Sequence, residues 1–233
     1  MSHDLDLGHY RNLLRRRAIG FEIGGFRPPE DLSGSWFGRV NLAASGESWP
    51  EHNGKLLTAL CQIDLRGLPF KPPRLEDLEL LTIFVSEVDL PDNDANGSTW
   101  CLRAYDSAAD LTLLPQQDMP SKIRAFPMRP RVIESDFPCW EDVDIELPRM
   151  LEDSYYDHFE NIGGLKLGGW PTLIQSEIYW APNNKHPIGP EYVLQVDSTD
   201  KGNWMWGDAG VGYFGRGTVE DLKDEWACEW QCY

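Results

Sequence analysis

Residues 163–214 constrain the fold more than any other part of the chain. Residues 192–197 read Tyr-Val-Leu-Gln-Val-Asp, an apolar run with the length of one strand. After it, residues 203–214 mix aromatic side chains with glycines, which is typical of a tight turn that leads into a second buried strand. We therefore expect these two strands and their connection to form the structural centre, with a shaped cavity beside them.

Three more apolar segments, at residues 55–65, 78–86 and 99–105, have the length and composition of strands. Residues 115–138 contain five prolines, so they predict an extended strand that is compatible with a sheet edge. The pattern favours strands that are neighbours in one sheet.

Helices are expected around these strands. The first spans residues 1–20, where leucines and arginines suit an amphipathic helix. A second begins at Pro148 and a third at Thr218, because apolar residues then recur at every fourth position. The buried stripes would be Leu151, Tyr155 and Phe159 in the second helix and Leu222, Trp226 and Trp230 in the third. The predicted fold class is α+β, with largely antiparallel sheets and peripheral helices.

Two segments of the chain resemble each other and indicate a possible internal repeat. Residues 60–64 read Leu-Cys-Gln-Ile-Asp and residues 193–197 read Val-Leu-Gln-Val-Asp, each following a Trp-Pro pair. A duplication would give two similar halves, residues 21–130 and 131–233, packed as one domain of residues 1–233. Chance similarity in an aromatic-rich chain stays open. Gln62 and Gln195 would be buried and hydrogen-bonded, and such a pair could pin the halves together.

Charge restricts the possible partners. The chain has 38 acidic and 21 basic residues, which gives a formal net charge of -17. This charge argues against nucleic acid and against an anionic membrane surface, because both would be repelled. A basic protein would be attracted. Acidity that only keeps the protein soluble is the alternative.

Other sequence signals are missing. No run of about eighteen apolar residues occurs, and the N-terminus lacks the order of a signal peptide, so we expect a cytoplasmic protein. The five cysteines are scattered without a Cys-x-x-Cys pair and are expected to be reduced and mostly buried. Phosphate-loop, dinucleotide, nucleophile-elbow and zinc-protease motifs are absent. We expect no metal, no cofactor and no catalytic residues.

Acidic residues are concentrated in residues 134–160, where Arg149 is the basic residue that accompanies them. On the predicted helix the carboxylates point away from the apolar stripe, and nearby aromatics can anchor the centre of a protein contact. The candidate partner-binding residues are Trp140, Glu141, Asp142, Asp144, Glu146, Glu152, Asp153, Tyr156, Asp157 and Glu160. A solvated acidic surface with no partner is the competing interpretation.

A second candidate site lies at the central turn. Paired carboxylates can act as acid and base or bind a hard cation, and aromatic residues can form a stacking wall. The residues of this alternative ligand site are Asp197, Trp204, Trp206, Asp208 and Tyr213. The Gly-Asp-Ala-Gly context of Asp208 is also typical of a plain turn, which is the favoured interpretation.

Residues 166–175, 193–197 and 206–214, followed by Asp221-Leu222, resemble the YwqG-like family of bacterial proteins of uncharacterised function. The likeness is clear over residues 160–225, but the family's glycine-rich segment before the first Trp-Pro is poorly kept. It implies an α+β fold rich in antiparallel sheet and no established activity. Some proteins of this type look like immunity partners of secreted antibacterial toxins.

Two functions follow. The first is an acidic immunity protein that binds and neutralises a basic antibacterial toxin, such as a nuclease delivered by type VI secretion. Its carboxylates would complement an active site built for phosphates. The second is a small-molecule or carbohydrate-binding protein, or an enzyme, that uses the aromatic cavity near Trp206 and Asp208.

Overall fold

A ten-stranded antiparallel sheet forms the body of the protein in the computed structural model, which describes residues 7–28, 31–180 and 186–233. The strands are, in chain order, β1 (Arg16–Ile23), β2 (Trp36–Phe37), β3 (Leu42–Ala43), β4 (Glu51–His52), β5 (Lys55–Leu56), β6 (Thr58–Asp64), β7 (Leu80–Val85), β8 (Trp100–Tyr105), β9 (Thr112–Leu113), β10 (Phe126–Asp136), β11 (Lys166–Gly168), β12 (Glu191–Asp197), β13 (Val211–Arg216) and β14 (Trp226–Gln231). The α-helices are α1 (Leu7–Leu14), α2 (Arg149–Glu152) and α3 (Tyr155–His158), and 3-10 turns lie at Trp140–Asp142 and Glu220–Leu222.

The order of strands across the large sheet is symmetric. It runs β14-β13-β12-β11-β1-β10-β2-β6-β7-β8, while β3-β9 and β4-β5 form small separate pairs. The central strands β1 and β10 are antiparallel to each other, and four strands follow on each side in the same outward order. We call β2, β6, β7 and β8 the first side and β11 to β14 the second side. The predicted boundary between residues 130 and 131 falls inside β10, so the sheet is continuous across it.

The two sides also share details of register. Strand β6 has a bulge between Ala59 and Cys61, and β12 has one between Tyr192 and Leu194. Each bulge lies at the same distance before the glutamine of its strand. Positions counted from Gln62 on the first side and from Gln195 on the second side are therefore called equivalent.

Gln62 and Gln195 are both fully buried and hydrogen-bonded, as buried amides must be. The Gln62 Oε1 atom accepts hydrogen bonds from the backbone N–H groups of Asn41 and Leu42, at 2.8 and 3.1 Å. The Gln195 Oε1 atom accepts one from the N–H of Thr172 at 2.9 Å. Each glutamine thus fixes the loop beside its own strand, and these hydrogen bonds do not pin one half to the other.

The two ends of the sheet meet, so the sheet nearly closes on itself. Trp100 of β8 packs edge-on against Phe214 of β13, with ring centroids 5.9 Å apart. The indole N–H of Trp230 in β14 donates to the carbonyl of Pro91, in the loop after β7, at 2.7 Å. The enclosed apolar core draws side chains from both sides of the sheet, including Leu60, Ile83, Leu194 and Trp206.

The prediction of an α+β fold is correct for the antiparallel sheet and needs correction for the helices. Strands account for 33% and helices for 10% of the described residues, so the fold is mainly β. The expected C-terminal helix is strand β14. Trp226 and Trp230 are four residues apart, and because four is even this spacing puts them on one face of a strand as well as of a helix.

Two other expected elements differ from the structure. Helix α1 ends at Leu14, and residues 16–20 belong to β1, whose Ala18 and Ile19 are buried; residues 1–6 lie outside the described part of the chain. The proline-rich strand β10 lies at the sheet centre and not at its edge.

The predicted helix after Pro148 is divided into α2 and α3. Its apolar stripe is nevertheless buried as predicted, because Leu151, Tyr155 and Phe159 pack with Leu14 and Phe137 in a small separate cluster. The cysteines are all free thiols, and those other than Cys232 are buried. In the described part of the chain, no helix has the length and apolarity that a membrane crossing requires.

Candidate binding site

A cavity of about 730 Å³ opens beside the second side of the sheet, and we call it the acidic cleft. The start of β1, the 3-10 turn before α2, the loop between β11 and β12, and the ends of β12 and β13 converge on it. Its carboxylates are Glu141, Asp142, Asp144, Glu177 and Glu191, its aromatic side chains are Trp170, Trp180 and Tyr192, and its guanidinium belongs to Arg16.

The guanidinium of Arg16 lies on the indole of Trp170, with its central carbon 3.3 Å from the ring centroid. Trp170 is held in turn by its indole N–H, which donates to the carbonyl of Leu14 at 2.7 Å. Burial lowers the pKa of Arg16, and the nearby carboxylates, led by Asp142 and Asp144, oppose that shift. The cleft therefore already accommodates one stacked guanidinium.

Asp142 is a half-buried carboxylate in the cleft wall. Burial, followed by repulsion from Glu177, raises its pKa to about 6, although Arg16 acts in the opposite direction. Its Oδ2 atom is buried and has no hydrogen-bond partner among the residues that the structure describes. A buried carboxylate oxygen without a partner favours a positive charge in the cleft beside it.

A network of polar side chains lies behind Tyr192. The Tyr192 hydroxyl donates to Gln195 Oε1 at 3.2 Å, and Gln195 Nε2 donates to Thr172 Oγ1 and to Asp197 Oδ1 at 3.0 and 2.8 Å. Asp197 also accepts the backbone N–H of Gly164 at 2.6 Å, yet burial raises its pKa to about 6. These bonds set the position of the cleft wall.

A buried ion pair fixes the loop that carries Trp170. Lys166 Nζ lies 2.9 Å from Asp136 Oδ2, and both side chains have no exposed surface. The same oxygen accepts the backbone N–H of Trp170 at 2.8 Å. Gly169 is required here, because a Cβ atom would come within 2.3 Å of that oxygen and φ is +70°. The pair thus has a positioning role.

An exposed surface around α2 and α3 adjoins the cleft through the 3-10 turn, and we call it the acidic face. Trp140, Met150 and Tyr156 are large apolar side chains that are 42%, 65% and 64% exposed there. The hydroxyl of Tyr156 accepts the backbone N–H of Trp140 at 3.3 Å. The exposed carboxylates of this face are Glu146, Glu152, Asp153, Asp157 and Glu160.

The predicted partner-binding residues are therefore divided between two adjoining surfaces. Glu141, Asp142 and Asp144 line the cleft, and the others lie on the acidic face. Of these residues, Asp142 alone is half-buried, while the rest are exposed.

The alternative ligand site at the central turn is not a cavity lined by its predicted residues. Trp204, Trp206 and Tyr213 are 4%, 0% and 0% exposed and belong to the packed interior. Trp206 covers Gly212 so closely that a Cβ there would lie 2.4 Å from the indole. Asp208 is exposed on the turn, whereas Asp197 is tied to Gln195 and Gly164. The predicted stacking wall is thus core packing.

Sequence reasoning missed the cleft residues Arg16, Glu177, Trp180, Glu191 and Tyr192 as a group. They come from separate parts of the chain, and the pairing of β1 with β11 and of β11 with β12 brings the first of them near the others. The Trp-Pro pair at residues 170–171 was the one available signal. Among the residues that the structure describes, no group of three His, Cys, Asp or Glu side chains is placed to hold a metal ion.

Comparison with known proteins adds one finding. A family model described as a domain of unknown function (DUF1963) matches residues 35–232, which is most of the chain. The matched segment includes both sides of the sheet, the acidic face and all of the cleft except Arg16. No curated protein matches the chain.

Proposed function

The chain belongs to the DUF1963 family, and from its surface chemistry we propose that it is an acidic immunity protein that binds and neutralises a basic antibacterial toxin. The resemblance to the YwqG-like family and a cytoplasmic location are parts of this proposal. Free, mostly buried thiols are compatible with a reducing compartment.

The acidic face is the observation that carries the proposal. Trp140, Met150 and Tyr156 are exposed apolar side chains in a segment rich in exposed carboxylates, where Arg149 is the basic residue of the same segment and Arg11 of α1 donates to the carbonyl of His158. Aromatic and methionine side chains are enriched in the buried core of protein–protein interfaces. Complementary charges around that core increase the association rate. This combination fits a protein partner of opposite charge.

The proposed mechanism is occlusion without chemistry. A toxin that acts on nucleic acid presents cationic groups at its active site, because it must hold phosphates. The net charge of -17 attracts such a surface over several ångströms, and the exposed aromatic side chains then provide short-range contacts. A stoichiometric complex would block the active site.

A second candidate is a small-molecule or carbohydrate-binding protein. It is favoured by one observation, the aromatic side chains Trp170, Trp180 and Tyr192 in a cleft of ligand size. The site proposed for this function is the acidic cleft, because Trp206 is core packing.

Co-expression with the product of the neighbouring gene, followed by co-purification at increasing salt, tests the immunity proposal. Charge reversal of Glu152, Asp153 and Asp157 should weaken the complex by about tenfold or more, since like charges would then face each other. The matched control reverses three exposed carboxylates on the first side of the sheet, at Asp106, Asp110 and Asp118. Equal weakening by both sets, or a complex insensitive to either, would contradict a specific acidic face.

A further inference from the structure

We propose that the acidic cleft is a recognition site for a guanidinium group, carried by a free organic cation or by an arginine side chain of a protein. Five carboxylates and one guanidinium line the cleft, so its walls hold more negative than positive charge. The excess negative charge favours a further cation. The acidic cleft and the acidic face use different side chains, so the free-cation form of this proposal is independent of the immunity function.

The protein's own Arg16 already makes a guanidinium–indole contact in the cleft. The guanidinium carbon of Arg16 lies 3.3 Å from the centroid of the Trp170 ring, which is a close cation–π contact. Trp180 and Tyr192 line the same space and offer further aromatic surface. A planar, weakly hydrated cation suits this lining better than a compact ammonium does.

The second, independent observation is the Oδ2 atom of Asp142. This atom is buried in the cleft wall without a hydrogen-bond partner in the described part of the chain. Burial without a partner leaves the negative charge of this carboxylate uncompensated, so a cation in the neighbouring cleft gains affinity from its attraction. A guanidinium offers several N–H donors in one plane, which suits a carboxylate.

The volume sets the size of the ligand. About 730 Å³ exceeds what a guanidinium alone occupies and lies within the usual range of small-molecule sites. A complete arginine side chain with its neighbouring backbone, or a small guanidino compound, therefore fits the cleft. In the protein-borne form the inference rests on the proposed immunity function.

Titration calorimetry with N-acetyl-arginine amide tests the cleft directly. N-acetyl-citrulline amide is the control ligand, since it keeps the shape and lacks the charge. We expect the arginine compound to bind with a dissociation constant in the millimolar range or below, and the citrulline compound to bind about tenfold more weakly or not at all. Equal binding of both, or no binding of the arginine compound at about 10 mM, would overturn the proposal.

Variants locate the site. Asp142→Asn should weaken binding of the arginine compound about tenfold, whereas Asp110→Asn, in the loop between β8 and β9 and outside the cleft lining, should leave binding unchanged. Unchanged affinity in Asp142→Asn overturns the assignment to the cleft. Because asparagine has nearly the shape of aspartate, folding should be kept, and a melting curve verifies it.

The same variants separate the two sources of the cation. If Asp142→Asn weakens both the arginine compound and partner capture, the ligand is a side chain of the partner. If it weakens the compound and leaves capture unchanged, the ligand is a free cation. Capture that depends on Glu152, Asp153 and Asp157 in a protein that binds no arginine compound would reject the cleft inference and leave the immunity proposal standing.

Discussion

The first and second sides of the sheet use one framework for different purposes, as a pair of equivalent cross-strand neighbours illustrates. Ala59 faces Phe84 on the first side, and Tyr192 faces Gly215 on the second side. Phe84 is fully buried and packs edge-on against Trp49 at 5.1 Å. Tyr192 instead lines the acidic cleft. The aromatic residue of the pair is on β7 on the first side, where it is packed, and on β12 on the second side, where it lines the open cleft.

The residues opposite the two glutamines also differ between the two sides. Trp36 lies opposite Gln62, and Lys166 lies opposite Gln195. The tryptophan adds to core packing, whereas the lysine forms a buried ion pair with Asp136 that holds the cleft loop. The second side therefore places charge in its interior to position a site, and the first side has no such pair at this position.

The largest effect is expected from truncating the two aromatic residues. Phe84→Ala should cost about 4 kcal/mol in the free energy of unfolding, because it leaves a cavity in a closed cluster. Tyr192→Ala should cost about 1–2 kcal/mol, since part of its ring already faces the cleft. Denaturant titration of both variants measures the contrast. Equal losses would mean that the second side is packed as tightly as the first.

The buried ion pair should come next. Lys166→Met leaves the carboxylate of Asp136 buried without its cation, at a cost of about 3 kcal/mol. The control is Arg129→Met, which removes the exposed ion pair with Glu22 and should leave stability nearly unchanged, because solvent screens that pair. Urea unfolding of the two variants compares them. A Lys166→Met protein as stable as the control would refute the positioning role of the pair.

The two buried glutamines should behave alike. Gln62→Leu and Gln195→Leu each leave backbone groups of the neighbouring loop without a partner, and we expect a loss of about 2 kcal/mol in each case. Thermal and denaturant unfolding can both measure it. If the losses of unfolding free energy in the two variants differed by more than about 2 kcal/mol, the two glutamines would not have equivalent structural roles.

The smallest effect concerns pH. The pKa of Asp142 is about 6 in the folded protein and lower in the unfolded chain, so the folded state binds more protons between about pH 4 and pH 6. Stability contributed by this group is therefore present at pH 4 and lost as the pH rises through 6. Burial is the main cause of the raised pKa; the neighbouring Glu177, Glu141 and Asp144 add to it, and Arg16 opposes it.

Asp142→Asn removes that titration, so its melting temperature relative to the wild type should rise by a few degrees between pH 4 and pH 7. The difference between the two proteins must be used, because Asp197 and Glu229 also have raised pKa values of about 6 and about 7. A difference that is constant with pH would show that Asp142 titrates normally.

Strands were predictable where burial leaves a direct trace in the sequence. The apolar runs around Gln62 and Gln195 are buried on both faces, and they read as strands without further information. The C-terminal helix was predicted wrongly, because the four-residue spacing of Trp226 and Trp230 suits a helix and a strand equally. The prolines of β10 suggested an edge, although the strand pairs on both sides.

The candidate site was only partly predictable. The carboxylates at residues 141–144 follow from local composition, but their meeting with Arg16 depends on the pairing of β1 with β10, in which Arg16 lies opposite Asp136. No local pattern records such a long-range pairing. Trp206 belongs to the alternative ligand site in the sequence analysis, because aromatic residues near a glycine-rich turn suit both a cavity wall and a packed core; the structure places it in the core.

The central claim is that the second side opens into a cleft that takes a cation, and nuclear magnetic resonance of the tryptophan indole N–H groups tests it most directly. On titration with N-acetyl-arginine amide, we expect the signals of Trp170 and Trp180 to shift. Those of Trp100 and Trp206, which lie in the core, should stay in place. Shifts confined to the core tryptophans, or equal shifts with the neutral citrulline compound, would contradict the claim.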